Sequence, residues 1–309
     1  MRVVFLGSGS FAVPSLEALV GAGHDVAAVV TQPDRGKGRG RSLTAPPVKP
    51  VAQVHGLTVL QPRRVKEPEI QQILQELRPE AQVVVAYGQI LPLSVIQIAP
   101  RGTINVHASL LPLYRGAAPI QWAIARGETE TGVTTMLIDE GLDTGPILLA
   151  RAVPIAPDET AGELTPRLAA LGAGLLLETL RDLEDGRIRP IPQDHARATL
   201  APLLRKEDGR IDWTRPAAEL ANRVRGFSPW PGAVALFEGR NVRVLRARPA
   251  AGGSDSPGHV VFVDPDGILV ACGTGSALRL LEVQPESRRP MAAAAFAAGA
   301  RLRAGSRFS

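Results

Sequence analysis

The chain has 309 residues, of which 45% are hydrophobic and only 4% aromatic. That is long enough for two domains, and their cores must be built from aliphatic side chains. A single cysteine, Cys272, excludes an internal disulfide and fits a reducing compartment. Its setting, GILVACGTG, reads as a buried strand position. No apolar stretch approaches the roughly 20 residues that span a bilayer. Met1-Arg2 leads into a short apolar run without an h-region or a small-residue cleavage site. The expectation is a cytoplasmic protein that engages no membrane.

The formal net charge is +5, and its distribution is uneven. From Lys206 onward there are 15 basic and 10 acidic residues, which leaves 20 of each in the rest of the chain. A basic second part beside a neutral first part points to a polyanionic partner, although a solvated basic surface gives the same count.

Residues 2–6 predict a strand, 7–11 a glycine-rich turn, 13–22 a helix with Pro14 in its first turn, and 25–30 a second strand. This opening imitates a dinucleotide fingerprint, with Ala12 in the third small position. The acidic residue expected at the end of the second strand is missing, because Val30 runs into Thr31-Gln32-Pro33 and Asp34 follows only after the proline. The glycines are therefore assigned to tight strand-to-helix packing, and a nicotinamide dehydrogenase is the last of the readings.

Residues 31–50, TQPDRGKGRGRSLTAPPVKP, have neither a helical nor a strand period. They hold Arg35, Lys37, Arg39, Arg41 and Lys49 against one acid, Asp34, a basic island in a neutral domain. Such a loop is a flexible surface segment or one that orders on phosphates.

Alternation then resumes, with helices near 47–55 and 67–77 and strands at 58–60 and 82–86. A strand follows over 102–106, then a helix over 117–126, strands over 133–138 and 147–153, and a long helix over 160–183. Strands alternating with helices predict a parallel α/β sheet of the doubly wound, Rossmann-like kind, whose pockets open at the carboxyl ends of the strands.

Three polar residues stand out against this frame. Asn105 and His107 are two apart at a predicted strand end, so the period of two puts both on one face. Asp143 lies in the loop between two later strands. An amide can donate to a carbonyl oxygen that is gaining charge, an imidazole exchanges protons near neutral pH, and a carboxylate can fix the imidazole or take a proton itself. No serine or cysteine is placed as a covalent nucleophile, so direct acyl transfer suits the trio better than an acyl-enzyme. A lone histidine is more often structural, and Asn105 and Asp143 equally fit a turn and a loop cap. Spacing alone leaves these alternatives open.

Residues 187–206 are irregular, hold three prolines and read as a linker. A helix over 217–225 leads to FSPWP, where Trp230 is expected in core or domain packing. Short runs at 233–237, 242–247, 259–263, 268–271 and 278–283 suggest a small β-barrel. MAAAAFAAGA reads as a short helix. The five histidines are scattered, with no metal-ligand spacing, so no metal is expected. The division is 1–189, linker 190–205 and 206–309.

INVHASLLPLYRGAAPIQWAI followed by GVTTMLIDEGLDTGPIL resembles the signature of the folate-dependent formyltransferases. VVFLGSGSFAVPSLEAL, VVTQPDRGKGRGR, VVVAYGQILP and FSPWPGA extend the resemblance over nearly the whole chain. It implies a Rossmann-like catalytic domain followed by an OB-like, tRNA-binding barrel, acting as a monomer. It implies transfer of a formyl group from 10-formyltetrahydrofolate to the α-amino group of methionine on initiator tRNA, with Asn105, His107 and Asp143 as the catalytic trio. The block Ser109, Leu110, Leu111 and Pro112 matches the family's folate contact, with Tyr87-Gly88 and residues 139–145 toward the pterin. The 31–50 loop would contact the acceptor stem through Arg35, Lys37, Arg39 and Arg41, although Gly36-Lys37 departs from the expected pattern. Arg115 would hold either the glutamate tail or the loop. A formyltransferase for a sugar nucleotide or a glycinamide ribonucleotide shares the trio and is the close alternative; a non-catalytic RNA-binding protein is the more distant one.

Overall fold

The structure is a computed structural model that describes residues 1–37, 42–252 and 255–309. In chain order the elements begin with β1 (Arg2–Gly7), α1 (Val13–Gly21), β2 (Asp25–Val30), β3 (Arg35–Lys37), β4 (Ser42–Thr44), α2 (Val48–Val54) and β5 (Val59–Leu60). They continue with α3 (Pro68–Glu76), β6 (Ala81–Val85), α4 (Leu93–Ile96), β7 (Thr103–His107), α5 (Pro119–Ala125), β8 (Glu130–Leu137), β9 (Ile147–Pro154) and α6 (Ala161–Glu184). After α7 (Ala217–Gly226) come β10 (Ala233–Phe237), β11 (Arg240–Ala250), β12 (Val260–Asp264), β13 (Gly267–Ala271), β14 (Ala277–Pro285), β15 (Met291–Ala292) and α8 (Ala293–Gly299). Two compact units result: Met1–Gly116, Thr131–Val153 and Thr165–Ala201 form the first, and Ala117–Glu130, Pro154–Leu164 and Pro202–Ser309 the second.

The first unit is a seven-stranded sheet in the order β5-β2-β1-β6-β7-β8-β9. Neighbours from β5 through β7 pair in parallel, and β8 runs antiparallel to β7. The parallel sheet expected from the sequence is thus a mixed one. Hydrophobic period encodes which face is buried but not which way a strand runs, and an antiparallel strand toward the edge of a parallel sheet is a common solution. β1 from Val3 onward and β6 are buried throughout and apolar except for Gln82, as strands covered on both faces tend to be. A Cβ on Gly172 of α6 would sit 2.9 Å from Val106 and 3.4 Å from Val133, so that glycine lets the helix close onto β7 and β8.

The chain goes from β1 outward to β2 and β5, then returns to β6 on the other side of β1. That reversal is a switch point, and the crevice it opens lies at the carboxyl ends of the strands. A Cβ on Gly7 would meet the Phe5 ring at 2.6 Å and Ala12 at 3.0 Å, which bears out the packing role assigned to the first glycine of the turn. Within 31–50, where no period was legible, β3 and β4 form a two-stranded ladder. Its root is pinned by Asp34, which accepts from Lys49 at 2.8 and 3.0 Å and from Gln61 at 2.7 Å.

The second unit carries an antiparallel sheet in the order β10-β11-β14-β13-β12, with β15 on β14. Among the described residues β10 and β12 do not pair with each other. Residues 306–309 bond to both edges: Leu236 and Ser309 exchange backbone bonds at 2.7 and 2.9 Å, and Val260 N–H donates to Ser306 O at 2.8 Å. Phe308 is buried and meets Phe237 at 5.4 Å and Trp213 at 5.9 Å between ring centroids. α5 and α7 pack tightly in this unit. A Cβ on Gly226 would lie 2.7 Å from both Ala125 N and Gln121 O, and Trp122 stands edge-on to Phe227 at 5.5 Å. Trp230 is 53% exposed, contrary to the packing role expected for it. The surrounding aliphatic residues and phenylalanines already fill the core of this unit.

Candidate functional site

β7 delivers the first two residues of the site. Its register on β8 pairs Asn105 with Met136 and His107 with Thr134. Asn105 and His107 therefore fall on one face, as the period of two requires, and both reach Asp143. Asn105 Nδ2 approaches Asp143 Oδ1 at 3.5 Å, and His107 Nδ1 lies 3.7 Å from Asp143 Oδ2. The first is a long hydrogen bond, and the second leaves no direct bond between imidazole and carboxylate. The trio is thus gathered but not locked, since His107 and Asp143 lie just beyond direct hydrogen-bond distance.

The other ring nitrogen settles the tautomer of His107. Nε2 lies 3.0 Å from the Tyr114 carbonyl, which can only accept, so Nε2 carries a proton and donates. Nδ1 is then the ring nitrogen without a proton, and it faces Asp143. His107 is 6% exposed, so its orientation is held by packing as well as by this bond.

The loop that carries Asp143 is held at several points. Asp139 Oδ1 accepts from the Gly141 N–H at 3.0 Å and from Thr144 Oγ1 at 2.6 Å. A Cβ on Gly145 would lie 1.9 Å from Leu137 O, so only glycine fits there. Asp143 itself sits at φ 51°, in the left-handed region, and Tyr114 at φ 59°. Such backbone is costly for side chains with a Cβ and persists where surrounding contacts impose it. The Gly116 N–H donates to Asp143 Oδ2 at 2.8 Å.

The block 109–112 follows directly. Ser109 is buried and its hydroxyl donates to Leu113 O at 2.6 Å, so the side chain braces the turn. Thr134 Oγ1 donates to Ser109 O at 2.7 Å and accepts from Leu111 N–H at 3.2 Å. Leu111 is buried, while Leu110 and Pro112 are half-buried.

Next to the 139–141 segment, an open cleft of about 640 Å³ is lined by α4, by Gly102 and Thr103 at the start of β7, and by Leu137, Ile138, Asp139, Glu140 and Gly141. The lining mixes apolar side chains such as Leu93, Ile96, Leu137 and Ile138 with polar ones, Gln97, Thr103, Asp139 and Glu140. Tyr87 does not reach outward. Its ring is buried, burial pushes the phenol up to about 12, and its hydroxyl has no hydrogen-bond partner. The Tyr87 carbonyl is engaged instead, accepting from Ser8 Oγ at 3.1 Å and from Gln32 Nε2 at 3.2 Å.

Of the basic island, Arg35 is exposed and donates to Gln32 Oε1 at 2.9 Å. Lys37 pairs through its backbone with Ser42, and Arg39 and Arg41 lie outside the described residues. Arg115, open to two roles from the sequence, is 6% exposed, and its guanidinium holds Gln193 Oε1 from Nε at 3.1 Å and from Nη2 at 2.6 Å. Gln193, the Tyr114 carbonyl and the Gly116 N–H all touch the trio or its loop, and sequence reasoning singled out none of them. Two are backbone groups, and Gln193 lies in an aperiodic stretch where nothing marks a polar residue as buried. Among the described residues no group of three His, Cys, Asp or Glu could hold a metal ion, and no helix is long and apolar enough to cross a membrane.

Comparisons with known proteins bear on both units. The Formyl transferase family matches residues 1–180, and the Formyl transferase, C-terminal domain family matches 203–301. The methionyl-tRNA formyltransferase of Solibacter usitatus is 57% identical over 303 residues, covering 98% of this chain and 96% of that protein. Among solved structures, WlaRD, a sugar 3N-formyl transferase crystallised with dTDP and 5-N-formyl-THF, superposes with TM-score 0.67 at 18% identity, over 94% of this chain and 99% of that one. HypX from Aquifex aeolicus, in complex with tetrahydrofolic acid, gives TM-score 0.62 at 19% identity, over 96% of this chain and 47% of that one. The two solved structures bear on fold alone. The family matches and the near-full-length identity go further: this chain belongs to the formyl transferase family.

Proposed function

We propose that the protein transfers the formyl group of 10-formyltetrahydrofolate to the α-amino group of methionine on initiator tRNA, for translation initiation. The convergence of Asn105, His107 and Asp143 at one strand end carries the reaction class. The acceptor rests on the 57% identity with a methionyl-tRNA formyltransferase along both units.

The residues present fit the donor. The cleft beside 139–141 offers apolar side chains and polar groups to a flat heteroaromatic ring, and Ser109, Leu110, Leu111 and Pro112 are assigned as a further contact block beyond the end of β7. The donor supplies an activated one-carbon unit; the rest is the work of the chain. Asn105 donates to the formyl oxygen as that oxygen gains charge. A bond forms between the methionine nitrogen and the formyl carbon, and the bond from that carbon to N10 breaks. The amine gives up a proton, and N10 takes one. His107 Nδ1 and Asp143 Oδ2 face each other across 3.7 Å, the span in which that proton moves. Comparing the pH–rate profiles of His107→Asn and Asp143→Asn assigns the immediate base.

The remaining assignments belong to the same reading. Residues 1–189 are the catalytic domain, 190–205 a linker and 206–309 a tRNA-binding domain, a division supported by family matches that end at 180 and resume at 203. The second domain is OB-like, a reading supported by residues 306–309 bonding to both edges of its sheet. Arg35, Lys37, Arg39 and Arg41 meet the acceptor stem, a role supported by the net charge of the 31–50 loop. The protein acts as a cytoplasmic monomer without a metal.

The test is formyl transfer from 10-formyltetrahydrofolate to Met-charged initiator tRNA, Met-charged elongator tRNA and a UDP-amino sugar. Strong preference for the initiator is expected. Equal or greater activity on the sugar overturns the acceptor while leaving the trio in place. No transfer with any folate donor overturns the reaction.

A further inference from the structure

We propose that Gln193 is a positioning residue for Asp143 and that Arg115 holds it in that task; the inference rests on the site reading above. Gln193 lies at 193, between the two family matches that end at 180 and begin at 203. It is only 6% exposed. Its Nε2 donates to Asp143 O at 2.9 Å and to Gly145 O at 2.7 Å, so both amide protons go to the two carbonyls that bracket Thr144. The amide orientation is forced. Turned over, Gln193 would set an oxygen against two carbonyls and an NH2 group against the Arg115 guanidinium. As it stands, Oε1 takes two N–H bonds from Arg115 at 3.1 and 2.6 Å.

The contacts close into a ring. Asp143 Oδ2 takes the Gly116 N–H at 2.8 Å, Gly116 follows Arg115 in the chain, Arg115 grips Gln193, and Gln193 returns to the Asp143 carbonyl. Arg115 is itself tied down, its N–H donating to Thr199 O at 2.8 Å and its carbonyl accepting from Ala201 at 2.7 Å. A Cβ on Gly116 would lie 2.7 Å from Ala201 O, so the ring closes only with glycine there.

This ring answers a specific need. Asp143 holds a left-handed backbone at φ 51° in a loop whose 140–142 segment is exposed. Left to itself, that loop would relax toward ordinary backbone angles and carry the carboxylate away from His107 Nδ1. The Gly116 N–H restrains one carboxylate oxygen, and Gln193 restrains the backbone beneath it. Together they fix where the carboxylate faces the imidazole. Displacements on the order of 1 Å at a reacting group cost about a hundredfold in rate.

The test is a double-mutant cycle measured as kcat and KM for both substrates. Gln193→Glu keeps an acceptor for Arg115 but removes both donors to the loop; Gln193→Met, run beside it, removes the donors without adding charge. Each is combined with Asp143→Asn. In the parent background either variant should lower kcat by roughly 10- to 100-fold, with both KM values little changed; each is assayed well below its own melting temperature, which loss of buried partners lowers. In the Asp143→Asn background the same changes should cost less than about twofold, because the group they position has already been altered. Parental kcat in both Gln193 variants beside a crippled Asp143→Asn sinks the positioning role alone, as does an equal loss in both backgrounds. Parental kcat in Asp143→Asn by itself sinks the site reading, and this inference with it.

Discussion

Asn105 has a sharply defined proposed task, because its side-chain N–H lies on the same face of β7 as His107 and approaches Asp143 at 3.5 Å. A donor to a developing oxyanion acts in the transition state more than in the ground state. Asn105→Ala should therefore lose on the order of a hundredfold or more in kcat, with KM for both substrates little changed. Steady-state kinetics with charged initiator tRNA decides this, and a kcat near the parental value removes Asn105 from the mechanism. His107 is constrained differently. Its Nε2 is committed to the Tyr114 carbonyl, so its chemistry is confined to Nδ1. At the opposite pole is Cys272, whose thiol is pushed up to about 12 by burial in the second unit. It is a packing residue, buried as its apolar setting indicated but one residue past the end of β13 rather than within a strand.

Among the elements, the β3–β4 ladder depends most on a single charged group at its root. Asp34 is held below the ordinary carboxyl range, first by the hydrogen bond from Lys49 and then by that from Gln61. A depressed carboxyl contributes its stability above the ordinary carboxylate range and loses it as the pH falls through the lowered value. The root is therefore intact at neutral pH and loosens only in acid. Asp34→Asn imposes much of the acid state at neutral pH, weakening the hold on Lys49. A several-fold rise in KM for charged tRNA is expected, with KM for the formyl donor unchanged, and an unchanged tRNA KM would detach this root from recognition. β8 makes a different point at the same scale. Its apolar pattern was legible, but its antiparallel run beside β7 was not, because direction is chosen by connection and edge rather than by period.

For the molecule as a whole, the charge is carried asymmetrically in sequence, with +5 in the residues from Lys206 onward, +4 in 31–50 and −4 over the rest of the first part. A polyanionic acceptor bound through such charges releases counterions, so its affinity falls steeply with ionic strength. Raising salt about fourfold should increase KM for charged tRNA by at least tenfold and leave KM for the small formyl donor within about twofold. Equal sensitivity of the two would remove the basic segments from tRNA recognition.

The sequence by itself determined the alternating α/β sheet, the strand-rich second unit, the family, and the candidate trio of Asn105, His107 and Asp143. Those follow from periodicity, which local sterics and burial impose residue by residue, and from motif blocks that are contiguous in the chain. The tertiary structure alone decided the tautomer of His107, the 3.7 Å span between His107 and Asp143, the outward position of Trp230 and the clamp made by Gln193 and Arg115. The tautomer and the clamp depend on backbone carbonyls and on a side-chain pair 78 residues apart in the chain. Backbone groups have no letter in the sequence, and a buried amide in an aperiodic stretch reads like any exposed one until the fold brings its partners to it.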